Sequence, residues 1–173
     1  MKLIGLIPAR GGSKGIPRKN IQMVYGAPLI AYTIKATLKS CLSGCYVSTD
    51  DEEIAAVAES FGASVPFLRP ESLASDDSSG FDVVRHFFDF LISESIDFDG
   101  IALLQPTSPL RDECHIDEAV KYLKAKGGFD SVDSLVSAVQ VPHNFLGVSQ
   151  FTIDEFGFRS EASDEDIIFA RQK

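Results

Sequence analysis

The sequence predicts an α/β fold of three layers, in which helices cover both faces of a mostly parallel sheet. Two observations carry this prediction. Apolar strand-like segments alternate with helix-like segments along the chain, which is typical of a parallel sheet covered by helices on both faces. Hydrophobic residues make up 45% of the 173 residues, enough for the core of one domain. We therefore expect a single domain over residues 1–173.

The first half of the chain contains three strand-like and two helix-like segments. The strand-like segments are short apolar runs, at residues 2–8, 45–48 and 64–68. Residues 29–38 have helical spacing and follow a proline, which is favoured at the start of a helix. A second helix is expected over residues 52–61, because Asp50 and Glu53 fit a capping box and Gly62 stops the helix.

The second half continues the alternation. Residues 81–93 form an aromatic-rich amphipathic helix, in which apolar side chains recur every three or four positions. A strand over residues 100–104 is expected to be the most buried one. A helix over residues 115–125 ends at two glycines, and residues 131–141 are a further strand candidate.

The character of the chain changes after Pro142. Residues 151–159 are typical of a hairpin, and they lie in a segment that contains five phenylalanines but no long helical pattern. Aromatic residues are enriched at the cores of protein interfaces. We expect residues 142–173 to be an excursion that packs on a partner subunit, with a local edge hairpin as the alternative.

Composition excludes several classes of function. The chain carries 16 Lys and Arg against 25 Asp and Glu, a net charge of −9, whereas nucleic acids and anionic membranes require a broad basic face. No run of 18 apolar residues predicts a membrane span, and the N-terminus does not resemble a signal peptide. The three cysteines form no CxxC pair and, with three histidines, no zinc set. We expect reduced thiols in the cytoplasm.

A cationic loop follows the first strand. Its four cations and three glycines are Arg10, Lys14, Arg18 and Lys19, and Gly11, Gly12 and Gly15. Glycines let backbone N–H groups turn towards phosphate oxygens, and the cations offset the phosphate charge. The spacing fits neither the P-loop nor the GxGxxG dinucleotide fingerprint. The loop therefore predicts another type of nucleotide-phosphate site, with a solvated basic turn as the alternative.

Three more polar segments lie where ligands of open α/β sheets bind, beyond the carboxyl ends of the strands. They are residues 48–51 after the second strand, residues 105–111 after the central strand, and the long loop 69–79 before the aromatic helix. Hydroxyl and backbone groups of the long loop could contact a base or a ribose.

Four motifs in matching order resemble those of the acylneuraminate cytidylyltransferases, which include the CMP-sialic acid synthetases and relatives that act on legionaminic or pseudaminic acid. The motifs are IPARGGSKGIPRKN at residues 7–20, VSTD at 47–50, LASD at 73–76 and LQPTSPLR at 104–111. Residues 112–145 resemble the family more loosely.

The resemblance implies that CMP is transferred from CTP to a nonulosonic acid, a nine-carbon 2-keto sugar acid such as N-acetylneuraminic acid, and that pyrophosphate is released. The anomeric hydroxyl of the sugar attacks the α-phosphorus, so catalysis would rest on positioning and electrostatic stabilisation. The family also implies a three-layer Rossmann-like nucleotidyltransferase fold, Mg²⁺ and a homodimer.

The resemblance also implies roles for individual residues. Nucleotide contacts would come from Arg10, Gly11, Gly12, Ser13, Lys14, Lys19, Asn20, Arg69, Ser78 and Ser79. The sugar acid would be contacted by Gln105, Thr107, Ser108, Arg111 and His143. Of these, Arg10, Lys19 and Gln105 would act in catalysis.

Simpler structural roles remain open for several of these residues. Gln105 could bond the neighbouring backbone, Arg111 could form a structural ion pair, and residues 69–79 could be an ordinary polar loop. Arg18 has no strong family match, so a solvent-facing position is an equal alternative.

The chain also departs from the family pattern. Members normally continue with an Asn-Gly-Ala-Ile-Tyr-like strand and, later, a pair of aspartates that hold magnesium. We therefore expect a C-terminally truncated cytidylyltransferase with an incomplete sheet, and no metal ligand is carried over. One alternative is a nucleotide-binding remnant without chemistry. Another is a sugar nucleotidyltransferase for a substrate such as 3-deoxy-octulosonate, which would place an acid where this chain has Gln105-Pro106-Thr107.

Overall fold

A computed structural model describes residues 1–13, 15–75, 78–137, 151–154 and 157–160. The chain divides into two compact units, Met1–Leu135 and Val136–Lys173. The strands are β1 (Leu3–Pro8), β2 (Met23–Val24), β3 (Ala27–Pro28), β4 (Gly44–Ser48), β5 (Gly100–Leu103), β6 (Phe151–Asp154) and β7 (Gly157–Ser160). The α-helices are α1 (Leu29–Lys39), α2 (Glu52–Ser60), α3 (Gly80–Ser93) and α4 (Glu113–Ala125).

The first unit is built on a parallel sheet of three strands in the order β4-β1-β5. Ile4 of β1 pairs with Gly44 of β4 on one side and with Ile101 of β5 on the other. The chain thus continues from β1 to one neighbour and later returns to the opposite side. This confirms the predicted α/β fold with a parallel sheet.

Helices pack against both faces of this sheet. Because side chains of a strand alternate between faces, Ile7 of β1 and Val47 of β4 join a core cluster with residues of α1, α2 and α4. Ile4 and Leu6 of β1 and Tyr46 of β4 join a second cluster with α3. The result is the three-layer arrangement that the alternating segments predicted.

Local sequence signals place the helix ends well. All four α-helices begin and end within two residues of their predicted bounds. Gly62 and Gly127 follow α2 and α4 with φ of 93° and 94°, a left-handed conformation that ends helices. Helix α4 begins earlier than predicted because Asp112 and His115 form a capping box at its start.

The predicted cap of α2 is wrong by one residue. Asp51, rather than Asp50, accepts a hydrogen bond from the Ile54 N–H at 3.0 Å. The Asp50 carboxylate instead bonds to the backbone of the cationic loop, at the N–H of Gly11. Tertiary contact with another loop therefore decides which aspartate caps the helix.

The predicted third strand is also wrong. Residues 64–68 form two isolated parallel bridges, between Tyr46 and Ser64 and between Thr49 and Leu68. Pro66 lies between these bridges and has no N–H to donate to a ladder. Residues 64–68 still run along the edge of β4, and they end at the carboxyl end of the sheet.

Two other expectations for strands fail. Over residues 131–137 there is no strand, because the N–H groups of Ser131 and Val132 donate to the carbonyl of Gly128 and continue a helical turn. Residues 138–141 lie outside the described part of the chain. Strand β5 is half-buried, with Leu103 exposed, whereas β1 is the most buried strand. Among the described strands, β1 has a neighbour on each side and β5 on one side alone.

Two hairpins complete the fold. The predicted C-terminal hairpin is confirmed, with β6 and β7 antiparallel from the Phe151–Ser160 pair to the Asp154–Gly157 pair. The hairpin of β2 and β3 was not predicted, and it turns through Tyr25 and Gly26 with φ of 45° and 85°. Positive φ at both central residues is typical of a tight hairpin turn. Whether residues 142–173 pack on a partner stays a prediction.

Candidate functional site

The candidate site lies at the carboxyl ends of β1 and β4. The N–H of Ala9 donates to the carbonyl of Ser48 at 2.9 Å, which extends the pairing of these strands to their ends. The N–H of Arg69 donates to the carbonyl of Thr49 at 2.7 Å. Strand order changes direction at β1, and such switch points are where open α/β sheets bind ligands.

The start of the cationic loop is tied down by two polar side chains. The N–H of Gly11 donates to Oδ1 of Asp50 at 3.0 Å. The Nδ2 of Asn20 donates to the carbonyl of Arg10 at 3.0 Å, and Asn20 is 6% exposed. The backbone on both sides of the Arg10 side chain is therefore held before any ligand binds.

Arg69 brings a second cation to the same place. It is 5% exposed, and its guanidinium lies 3.5 Å from Oδ1 of Asp50. Its buried Nε has no hydrogen-bond partner among the described residues. Burial lowers the pKa of Arg69, the Asp50 carboxylate opposes this, and the charge of Arg10 lowers the pKa further. The charge of Arg10 thus acts on the buried Arg69, and two neighbouring guanidinium groups favour the binding of an anion.

Arg10 also joins the cationic loop to the long polar loop. Its Nη1 donates to the carbonyl of Ser75 at 3.2 Å. The hydroxyls of Ser75 and Ser78 lie 2.9 Å apart, and Ser78 donates to the carbonyl of Ser72 at 2.8 Å. The structure therefore brings together Arg10, Arg69 and Ser78 from the predicted nucleotide set.

Ser79 caps helix α3. Its hydroxyl accepts from the N–H of Asp82 at 3.1 Å, and the Asp82 carboxylate accepts from the hydroxyl and the N–H of Ser79 in return. The hydroxyl of Ser79 therefore already donates one hydrogen bond and accepts another at the start of α3. A nucleotide that contacted this hydroxyl would have to compete with the capping box.

The segment after β5 folds into a turn of its own. The Nη2 of Arg111 donates to the carbonyl of Gln105 at 2.6 Å, and the N–H of Ser108 donates to the same carbonyl at 3.3 Å. Arg111 forms no ion pair with the described residues, in contrast to the structural alternative, and burial lowers its pKa. Thr107 and Ser108 are exposed, as is Gln105. Their proposed contact with a sugar acid stays a prediction.

Of the remaining predicted residues, the structure describes Ser13 and Lys19 but not Lys14 and His143. Lys19 is half-buried at the start of the short helical turn Lys19–Ile21. Ser13 donates its N–H to the carbonyl of Gly11. Lys14 and His143 lie outside the described residues.

The glycines of the loop differ in what surrounds them. A Cβ on Gly11 would lie 2.6 Å from Oδ2 of Asp51, whereas a Cβ on Gly12 would meet nothing within 4 Å. Of these two glycines, only Gly11 is required by the packing of the protein.

We expect Gly11→Ala to lower the free energy of unfolding by about 1–3 kcal/mol, because the new methyl group displaces a packed carboxylate. Gly12→Ala is the matched control and should change it by less than about 0.5 kcal/mol. Urea denaturation followed by circular dichroism measures both. Equal losses in the two variants would contradict the steric role assigned to Gly11.

Sequence reasoning missed the residues that hold the loop. Asp50, Asp51 and Ser75 contact the loop from positions that are 33 or more residues away in the chain. One sequence signal points to them: two acids follow β4 directly, and the cationic loop contains no acid of its own.

The described residues do not fit a magnesium site. They contain no group of three or more His, Cys, Asp or Glu that could hold a metal ion. The carboxylates nearest the loop, of Asp50 and Asp51, already pair with Arg69 and Arg18.

Comparison with known proteins identifies relatives. A family model described as "Cytidylyltransferase" matches residues 4–159. The chain is 46% identical over 135 residues to an N-acylneuraminate cytidylyltransferase of Escherichia coli O18:K1:H7. The aligned region covers 78% of this chain and 31% of the relative. The chain is 47% identical over 131 residues to a CMP-N,N'-diacetyllegionaminic acid synthase of Legionella pneumophila, covering 73% and 55%. A pseudaminic acid cytidylyltransferase of Campylobacter jejuni is 40% identical over 131 residues, covering 75% and 56%.

Solved structures support the fold. A CMP:2-keto-3-deoxy-manno-octonic acid synthetase complexed with CTP matches with a TM-score of 0.61 at 21% identity, covering 73% of this chain and 49% of that one. A cytidylyltransferase of Leptospira borgpetersenii matches with a TM-score of 0.57 at 24% identity, covering 74% and 51%. The chain thus spans about half the length of these structures. None of the described helices has the length and apolar character needed to cross a membrane.

Proposed function

Because this chain belongs to the cytidylyltransferase family, we propose that it transfers CMP from CTP to a nonulosonic acid such as N-acetylneuraminic acid and releases pyrophosphate. The names and identities of its relatives support this substrate class. The observation that carries the proposal is the position of Arg10 beside the buried Arg69 at the carboxyl ends of β1 and β4, where the charge of Arg10 lowers the pKa of Arg69. Such a site suits a polyphosphate.

Arg10 and Lys19, with Lys14 from the same loop, hold the triphosphate in this proposal. Arg69 and Ser78 bind the cytidine side, and Gln105 and Arg111 orient the sugar acid. The anomeric oxygen forms a bond to the α-phosphorus and loses its proton to solvent. The bond from the α-phosphorus to the bridging oxygen breaks, and pyrophosphate leaves with the electron pair. Charge grows on the leaving group, so fixed cations stabilise the transition state more than the ground state.

The chain spans 31% to 56% of the length of these curated relatives, so the sugar acid, the homodimer and the cytoplasmic location belong to the proposal as well. Mg²⁺ is expected from the family resemblance. Because the described residues do not fit it, we derive no step through it.

The proposal is tested by nucleotide binding. Isothermal titration should show CTP bound more tightly than ATP or GTP. Replacing Arg10 and Lys14 together by alanine should raise the Kd for CTP by at least about 100-fold, since charge-assisted hydrogen bonds contribute about 1.5–3 kcal/mol each. The control is Arg85→Ala with Lys121→Ala, which removes the same charge from the exposed faces of α3 and α4.

Two outcomes separate the proposal from its alternatives. Unchanged CTP affinity in the Arg10 and Lys14 variant would overturn it. CTP binding without formation of a CMP-sugar, in the presence of Mg²⁺ and N-acetylneuraminic acid, would favour a nucleotide-binding protein without chemistry.

A further inference from the structure

Arg18 is held in an unusual conformation at the far end of the cationic loop. Its φ and ψ are 52° and 34°, a left-handed backbone that a residue with a β-carbon adopts at a cost. Its side chain is 40% exposed, so it is neither solvated like a typical surface arginine nor buried. Some other interaction must favour this conformation.

The guanidinium of Arg18 binds two carboxylates. Nη1 donates to Oδ2 of Asp51 and Nη2 to Oδ1 of Asp51, both at 2.8 Å, and Nη2 also donates to Glu53 at 2.5 Å. The paired fork of an arginine on a carboxylate fixes geometry as well as charge. The same interaction lowers the pKa of Asp51.

Asp51 is itself fixed in the fold. Its carboxylate caps α2 at the N–H of Ile54, and its own N–H donates to the hydroxyl of the buried Thr49 at 3.1 Å. The same carboxylate lies against the backbone of Gly11, at the other end of the loop. Next to it, Asp50 accepts from the N–H of Gly11. Two adjacent aspartates at the end of β4 thus hold both ends of one loop.

We propose that Arg18 and Asp51 are positioning residues that hold the cationic loop in the conformation that binds the triphosphate of CTP, without touching it themselves. The inference rests on the proposed function. A loop fixed in advance loses less conformational entropy when the ligand binds. The effect should therefore appear as nucleotide affinity, and it should be larger for CTP than for CMP, which lacks the β- and γ-phosphates.

A competing interpretation has to be separated from this one. The Nε of Arg18 is buried and has no partner among the described residues, so Arg18 could instead contact the nucleotide directly. In that case Asp51→Asn would release Arg18 for the ligand, and CTP affinity would stay the same or improve. Asparagine caps helices as well as aspartate does, so α2 is preserved in this variant.

The test compares the Kd for CTP and CMP in the 173-residue chain and its variants by isothermal titration. If Arg18 and Asp51 position the loop, Arg18→Ala and Asp51→Asn each raise the Kd for CTP about tenfold, and the double variant is no weaker than Arg18→Ala alone. Arg18→Lys should restore little, because lysine lacks the paired donors. The control is Lys2→Ala, which removes another exposed ion pair, between Lys2 and Asp97 at 2.5 Å, at the opposite edge of the sheet. This variant should leave the Kd for CTP and for CMP unchanged.

Four results would overturn the inference. Two are unchanged CTP affinity in Arg18→Ala and unchanged or improved CTP affinity in Asp51→Asn. The others are additive losses in the double variant and equal losses for CTP and CMP. Failure of the unaltered chain to prefer CTP would instead overturn the proposed function, so the two failures are distinguishable.

Discussion

Phe87→Ala should remove about 3–5 kcal/mol of the free energy of unfolding, which is the usual cost of deleting a buried aromatic side chain. Phe87 is 0% exposed at the centre of the cluster between α3 and the sheet, with Leu6 of β1. Its ring centroid lies 5.2 Å from that of Tyr46 and 6.1 Å from that of Phe90. Because small domains are stable by about 5–15 kcal/mol, urea denaturation should show a much lower midpoint or loss of the native baseline.

The neighbouring residue supplies the control. Phe88 is 44% exposed and makes one edge contact, with Phe98 at 5.6 Å. Phe88→Ala changes helix propensity on α3 by the same amount, yet it should cost less than about 1.5 kcal/mol. Similar midpoints for the two variants would mean that α3 does not bury the face assigned to it.

Helix α3 illustrates what the sequence determines on its own. Its apolar residues recur with helical spacing over more than three turns, and Ser79 with Asp82 marks its start. The apolar spacing alone predicted its bounds within one residue, whereas the capping box of Ser79 and Asp82 is a finding of the structure. Strand β1 was predicted equally well, because a buried central strand is a continuous apolar run.

The capping of α2 shows where local signals stop. Either Asp50 or Asp51 is a suitable N-cap residue, but the capping box favours Asp50, because Glu53 lies three residues after it and Ile54 lies three residues after Asp51. The choice depends on Arg69 and Gly11, which engage Asp50. Neither residue is near Asp50 in sequence, and each becomes its neighbour through the assembly of the sheet.

In the candidate site, too, one part can be predicted from local sequence and another part depends on tertiary contacts. The cations that bind phosphate are visible in the sequence, because a loop with four cations and no acid is unusual on an acidic chain. Their anchors are not visible, since anchoring depends on which loops meet at the end of β1 and β4. Arg18 therefore has no evident role in the sequence, although the structure gives it a paired interaction with Asp51.

The second large effect is expected at the pair of Asp50 and Arg69. Asp50→Ala leaves a guanidinium that is 5% exposed without its carboxylate, and breaking a buried ion pair from one side costs about 3–5 kcal/mol. Arg69 stays charged when it loses its partner, because arginine is not deprotonated in proteins. We therefore expect Asp50→Ala to lower the free energy of unfolding by about 3 kcal/mol in urea denaturation.

Two further variants identify the cause of that loss. Asp50→Asn keeps an oxygen for the N–H of Gly11 but removes the charge, so it should lose most of the same stability. Combining Asp50→Ala with Arg69→Met removes the unpaired charge, and stability should return to within about 1 kcal/mol of the unaltered chain. CTP binding should stay weak in the combined variant, because Arg69 is part of the proposed site. If Asp50→Asn were as stable as the unaltered chain, the loss of stability in Asp50→Ala would come from the hydrogen bond to Gly11. The ion pair of Asp50 with Arg69 would then contribute little to the free energy of unfolding.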